Sequence, residues 1–266
     1  MLRLVICTAF VLFSSPALLF AQGVTHIVDD DGGGTAADCD ISTSAFTTVA
    51  AAIAAAGSGD TVLVCPGTYV ENINFGGKAI AVRSISGPAV TILDGNATDA
   101  VVTFDSGETT TSVLEGFTIR NGLATSLPNG GGIRIGWASP VIRRNAIVNN
   151  RACSGPGILI QFGSPLIEEN TIANNNTREG CFSGTSGGGI YVDGASTPVI
   201  RGNNINNNGG VAYGGGISSL SPGFPTIDRN VIWANSAWAE GGGMLLLNSD
   251  ATITGNVIVG NRPRVT

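Results

Sequence analysis

The sequence predicts an all-β parallel β-helix of three-strand coils with an N-terminal capping helix. Three observations carry that reading. First, one short pattern is written five times between Gly130 and Asn261. It opens on glycines and an apolar residue: Gly130-Gly131-Gly132-Ile133, Gly155-Pro156-Gly157-Ile158, Gly187-Gly188-Gly189-Ile190, Gly214-Gly215-Gly216-Ile217 and Gly241-Gly242-Gly243-Met244. Second, Asn145, Asn170, Asn203, Asn230 and Asn256 are each followed five residues later by Asn150, Asn175, Asn208, Asn235 and Asn261. The interval between repeats runs from 25 residues (Asn145 to Asn170) to 33 (Asn170 to Asn203). A fixed inner spacing with a variable outer one describes a rigid unit joined by loops of different length. Third, each repeat carries three apolar bursts, too short and too β-branched for helices, alternating with period two. One unit cannot bury its apolar side alone, but units stacked about 4.8 Å apart can.

In chain order, residues 1–21 come first. Arg3, an apolar run to Phe13, Ser14-Ser15-Pro16 and a second run ending at Phe20-Ala21 read as a signal peptide cut after Ala21. The protein is therefore expected to be exported, and nothing later is apolar enough to span a bilayer. Residues 22–60 are expected to form the N-terminal cap. Within them Asp29, Asp30, Asp31, Asp38 and Asp40 flank a glycine run. Calcium through oxygen ligands is the functional alternative there, but no glutamate closes an EF-hand loop, so a solvated loop is preferred and no metal is assigned. His26, beside Ile27 and Val28, reads as an edge-strand residue.

Thr47 to Ala56 is the one helical stretch, with Val49, Ala52, Ile53 and Ala56 on one face, ended by Gly57-Ser58-Gly59-Asp60. A solenoid needs its first coil covered, and this helix is the natural lid. The β-helix is expected over residues 61–266. Its early strands are Thr61–Val64, Asn72–Phe75, Ala79–Val82, Thr91–Leu93, Val101–Phe104 and Val113–Ile119. Gly116 and Asn121, again five apart, are expected at the two asparagine positions of a coil before the five. At the corners asparagine tolerates the left-handed conformation, and its amide can bond to its equivalent one coil away, so two asparagine ladders are expected. No amphipathic helix or polar coil follows Asn261, so the final coil is left bare, is covered by another chain, or belongs to a fragment of a longer chain, the last being preferred.

Here the sequence resembles the right-handed parallel β-helix proteins of the pectin-lyase-like superfamily. The resemblance rests on the Gly-Gly-Gly-Ile starts and Ile-x-x-Asn ends, and extends over roughly residues 46 to 261. The string from Phe46 to Glu71 is similar to the cap and first coil of secreted bacterial members. The resemblance implies a right-handed coil and a cleft along the sheet that follows the glycines. It implies no single activity, since the architecture hosts lyases, hydrolases, esterases, epimerases and adhesins.

With the apolar column inward, outward files follow. One file reads Arg143, Glu168, Arg201, Asp228, Thr254, and another, just before the first asparagine, reads Glu115, Arg144, Glu169, Gly202, Arg229, Gly255. Alternating signs support stacking register rather than a track for a polyanion. After the glycines, the outward residues include Arg134, Leu159, Gln161, Tyr191, Asp193, Ser218, Leu245 and Leu247. Arg134, Gln161, Tyr191 and Asp193 are the ligand-binding candidates: an aromatic plane for stacking beside hydrogen-bonding groups. The alternative is a half-apolar sheet face covered by loops.

Export changes how cysteine is read. Four cysteines would remain in the mature chain, and loop positions suggest bridges Cys153–Cys181 and Cys39–Cys65. Zinc is the rival, but no Cys-x-x-Cys pair occurs and His26 is far away. A net charge of −6 disfavours nucleic acid, leaving extracellular polysaccharide as the expected partner, with oligomeric state open. Catalytic motifs are missing: there is no Gly-His-Gly, Arg-Ile-Lys or Asp-Pro-His-Asp, and Asp193 is a lone carboxylate beside Tyr191 and Gln161. Two classes of function follow. The preferred one is a secreted or cell-surface carbohydrate-binding, interaction or structural module. The other is a polysaccharide lyase or hydrolase whose catalytic residues lie in loops or further coils.

Overall fold

The computed structural model describes residues 23–30, 46–126, 130–181 and 184–263. The leader over residues 1–21 and the stretch from Asp31 to Asp40, Cys39 included, lie outside these. The described chain winds through three parallel sheets. After the glycines it enters one sheet (Ile133–Gly136 in the first of the five repeats), then a second (Val141–Arg143), then a third (Ala146–Val148). We call these the glycine-side, charge-file and inter-asparagine sheets. They hold seven, nine and eight strands, and each strand pairs with its equivalent one coil away.

The stacking register follows the repeat. Ile142 pairs in line with Ile167, Ile200, Ile227 and Ile253, and Ile147 with Ile172, Ile205, Ile232 and Ile258. Ile142, Ile167, Ile200 and Ile227 are fully buried, while Ile253 in the last described coil is 46% exposed. A buried aliphatic side chain contributes about 1.5–3 kcal/mol, so isoleucine stacked on isoleucine drives the winding.

Between these columns run two asparagine ladders. From the second rung on, each asparagine Oδ1 accepts from both the backbone N–H and the amide of its equivalent in the preceding coil, as Asn170 does from Asn145 at 2.9 and 3.2 Å. Its own amide donates to a carbonyl of that coil, Asn170 to Ile142. Asn150, Asn175, Asn208, Asn235 and Asn261 repeat the arrangement.

Two local expectations are corrected. The left-handed conformation falls on the residue before each ladder asparagine: Arg144, Glu169, Gly202, Arg229, Gly255 at one corner, and Asn149, Asn174, Asn207, Ala234, Gly260 at the other. The ladder residue is held by its side-chain bonds, and its neighbour makes the turn. The earlier coil also sits one residue later than expected. Leu114 pairs with Ile142 and Ile119 with Ile147, so Phe117 and Gly122 hold the ladder positions and donate backbone N–H groups to Asn145 and Asn150. Gly116 is that coil's left-handed corner, and Glu115 belongs in line with Arg143 rather than with Arg144.

The corrected outward file reads Arg83, Glu115, Arg143, Glu168, Arg201, Asp228. Glu115 meets Arg143 at 2.8 Å and Arg144 at 2.9 Å, and Arg201 meets Glu168 at 2.7 Å. Some coils add a short extended run beyond the three strands, as Arg151–Ala152 paired with Asn176–Thr177.

The glycine triplets answer to space. A Cβ on Gly189 would lie 2.6 Å from the Gly216 carbonyl oxygen and 2.8 Å from Ile205 Cγ2, because the backbone passes over the ladder there. Gly187 takes φ +61° to turn into the strand.

The helix α1 spans Val49–Ala55, shorter than the predicted stretch, and buries Val49, Ala52 and Ile53 in the same core. It packs against the strands Thr25–Val28 and Thr61–Val64. Both of its ends are met by side chains from the first coil. Glu71 accepts from the backbone N–H groups of Val49 and Ala50, and Lys78 Nζ donates to the carbonyls of Ile53, Ala54 and Ala56.

Candidate functional site

The glycine-side sheet presents one outward column in register: Asn74, Thr103, Arg134, Leu159, Tyr191, Ser218, Leu245. A second column sets Gly136, Gln161 and Asp193 side by side. Period-two alternation over buried Ile133, Ile158 and Ile190 is what points these residues out. Part of the face is nevertheless covered, since Leu159 is 2% exposed and Ser218 is buried.

The four candidates fall into two groups. Gln161 Nε2 donates to Asp193 Oδ2 at 2.8 Å, and Ser221 Oγ donates to Asp193 Oδ1 at 2.6 Å. Tyr191 also bonds this carboxylate. Burial works to raise the Asp193 carboxyl, but hydrogen bonds from Ser221, Gln161, the Gly194 backbone and Tyr191 outweigh it and hold it below the usual carboxylate range. The Tyr191 phenol is pushed up to about 12 by burial and by the Asp193 charge. Asp193 is thus an ionised acceptor with both oxygens engaged, suited to orienting Gln161 and Tyr191 rather than to donating a proton.

Arg134 lies across Leu159 from this group. Its guanidinium reaches Asp99 at 3.2 Å and Thr103 Oγ1 at 3.4 Å. Arg134 and Gln161 meet at a cleft of about 310 Å³, lined also by Asp99, Asp105, Ser126, Gly136 and Trp137. Sequence reasoning missed Trp137 there. It is 67% exposed and stacks on Phe162, which is 48% exposed, with centroids 5.0 Å apart and planes 16° from parallel. The available signal was an aromatic just after the strand in two successive repeats, where the next repeat has Gly194.

Elsewhere, a cleft of about 520 Å³ is lined by Asn121, Asn149, Arg151, Asn174 and Asn176 at the other edge of the coils. Cys153 and Cys181 are bridged, with Cα atoms 5.4 Å apart. Cys65 is disulfide-bonded. His26 lies 3.0 Å from Asp60, on the first strand. Among the described residues no group of three or more His, Cys, Asp or Glu side chains is placed to hold a metal ion.

The family model described as right handed beta helix region matches residues 99–264, more than half of the chain. The chain belongs to that family. No curated protein matches it. Among solved structures it is similar to pectin methylesterase from carrot, at 14% identity and TM-score 0.52, over 90% of this chain and 84% of that one. It is also similar to pectin methylesterase PemA from Erwinia chrysanthemi, at 11% identity and TM-score 0.45, over 91% and 92%. The carrot likeness shows a shared fold, the pectin-lyase-like right-handed β-helix, and carries no residue of a site with it.

Proposed function

We propose that this β-helix is a secreted or cell-surface carbohydrate-binding module without catalytic activity, and that the glycine-side sheet is its binding face. One observation carries the reading: an exposed aromatic plane, Trp137, borders the cleft that Arg134 and Gln161 also line. Sugar rings offer an apolar face and a rim of hydroxyls, which such a plane beside fixed hydrogen-bonding groups complements. The 520 Å³ cleft has amides and an arginine but no aromatic plane among these residues. Asp193, held ionised with both oxygens in hydrogen bonds, is unsuited to act as a general acid, in keeping with this reading.

Export is supported by the signal-like residues 1–21 and by the Cys153–Cys181 bridge, since such bonds persist in oxidising compartments. Among the described residues no helix is long and apolar enough to cross a membrane. Helix α1, set against the first strands, closes the N-terminal end of the core in this reading.

The test is retention of the secreted protein on a panel of immobilised polysaccharides, with and without calcium, while new reducing or unsaturated ends are measured. Retention without new ends is expected, weakened about tenfold in Tyr191→Ala, which stays folded but melts lower because a half-buried ring and its bond to Asp193 are lost. New chain ends would make the protein an enzyme. Equal retention of Tyr191→Ala would remove Tyr191 from the face, and no retention on any polysaccharide would overturn the reading.

A further inference from the structure

Resting on that reading, we infer that the Trp137 cleft takes the ring face of a neutral sugar and rejects uronate-bearing chains. The first reason is the aromatic pair itself. Trp137 and Phe162 stand at equivalent positions of successive coils, each following the paired residues Gly136 and Gln161. Both adopt the left-handed conformation, φ 50° and 53°, which the next coil supplies with Gly194 at φ 64°. Glycine takes that conformation without strain, and a bulky residue does not. Neither backbone ease nor burial accounts for two large, exposed aromatics there. Phe162 packs against Gly194 on one side and Trp137 on the other, so the outer face of Trp137 is the one left to stack on a ring.

The second reason is charge. Asp99 and Asp105 set two formal negative charges against the single guanidinium of Arg134. That guanidinium is already engaged by Asp99 and Thr103. Carboxylates accept hydrogen bonds, which sugar hydroxyls donate, whereas the carboxylate of a uronate brings only further acceptors and a like charge. A cleft built for polyuronate would present free cations.

The experiment titrates the full secreted chain with cellohexaose, xylohexaose and mannohexaose, and with hexagalacturonate, by calorimetry and tryptophan fluorescence. Binding of at least one neutral probe and none of hexagalacturonate is expected. Trp137→Ala should weaken the neutral probe about tenfold without altering the fold, since Ala97 and Ala234 already occupy left-handed positions. Asp105→Arg should admit hexagalacturonate, because it reverses the balance to two cations against one carboxylate. Hexagalacturonate bound by the unaltered protein, with the neutral probes ignored, would overturn the neutral-sugar inference and leave a glycan-binding face standing. Neutral binding indifferent to Trp137→Ala would place the site elsewhere and overturn it too. No binding of any hexasaccharide, together with no retention on the polysaccharide panel, would sink both.

Discussion

At the scale of a residue, Asn170 shows how much one side chain carries. It is 2% exposed, accepts two hydrogen bonds from Asn145, and donates to Ile142 and Asn203. Removing it strands the Asn145 backbone N–H and takes a donor from the Ile142 carbonyl in a buried corner, at about 1–3 kcal/mol for each. Asn170→Ala is therefore expected to lose about 3–5 kcal/mol, read as a lower urea midpoint at unchanged slope. Asn149→Ala, an exposed corner residue, should lose well under half as much; equal losses would mean the ladder bonds add nothing beyond the corner. Which asparagines form ladders was legible in the five-residue spacing. Which residue takes the left-handed corner was not. Arg144 and Glu169 look like poor choices by type, and they occupy the corner because ladder bonds fix the residue beside them. Trp137 was missed for a related reason: an aromatic after a strand reads as core until the turn that exposes it is known.

At the scale of an element, the seven-residue helix α1 is too short to persist alone. Its hydrogen-bonding ends are completed by Glu71 and Lys78, and its apolar face by the first coil. Lys78→Met keeps the aliphatic length but leaves the Ile53, Ala54 and Ala56 carbonyls without their donor. A loss of about 1.5–3 kcal/mol is expected, confined to the helix. Amide exchange should accelerate at Ala52 and Ala56 and stay unchanged in the strands from Val141 onward. Exchange accelerated uniformly along the solenoid would show that helix and coils open as one unit. The sequence placed the helix and its buried face, but nothing in it pointed to Lys78 as the cap of the helix end. Its partners lie 22 to 25 residues away, beyond any local pattern.

At the scale of the molecule, stability should depend on acid. A hydrogen bond from His26 first, then backbone N–H groups, hold Asp60 at about 2. Burial works to raise Asp94 and Glu115, but their arginine partners and hydrogen bonds leave both below the ordinary range. Bonds from Thr254 and Arg229 lower Asp228 as well. Each carboxyl binds its proton more weakly folded than unfolded. The stability it contributes is present above the ordinary values, 3.8 for aspartate and 4.5 for glutamate, and is lost as pH falls through the lowered ones. Melting temperature is expected to hold steady from pH 7 to about pH 5 and then to fall continuously towards pH 2. Melts by circular dichroism across that range decide it, and a flat profile down to pH 2 would show the ion-pair files to be inert.

The sequence by itself determined that the chain coils, how residues repeat within a coil, and which isoleucines face inward. Those properties are periodic, and stacking a unit on its own copy turns local periodicity directly into contact. Tertiary structure alone decided the register of the coil holding Phe117, the capping of α1, and the meeting of Arg134, Gln161 and Trp137 at one cleft. Gln161 follows Arg134 and Trp137 by a whole coil, and Phe117 precedes Asn145 by another, so only the stacked coils bring them together.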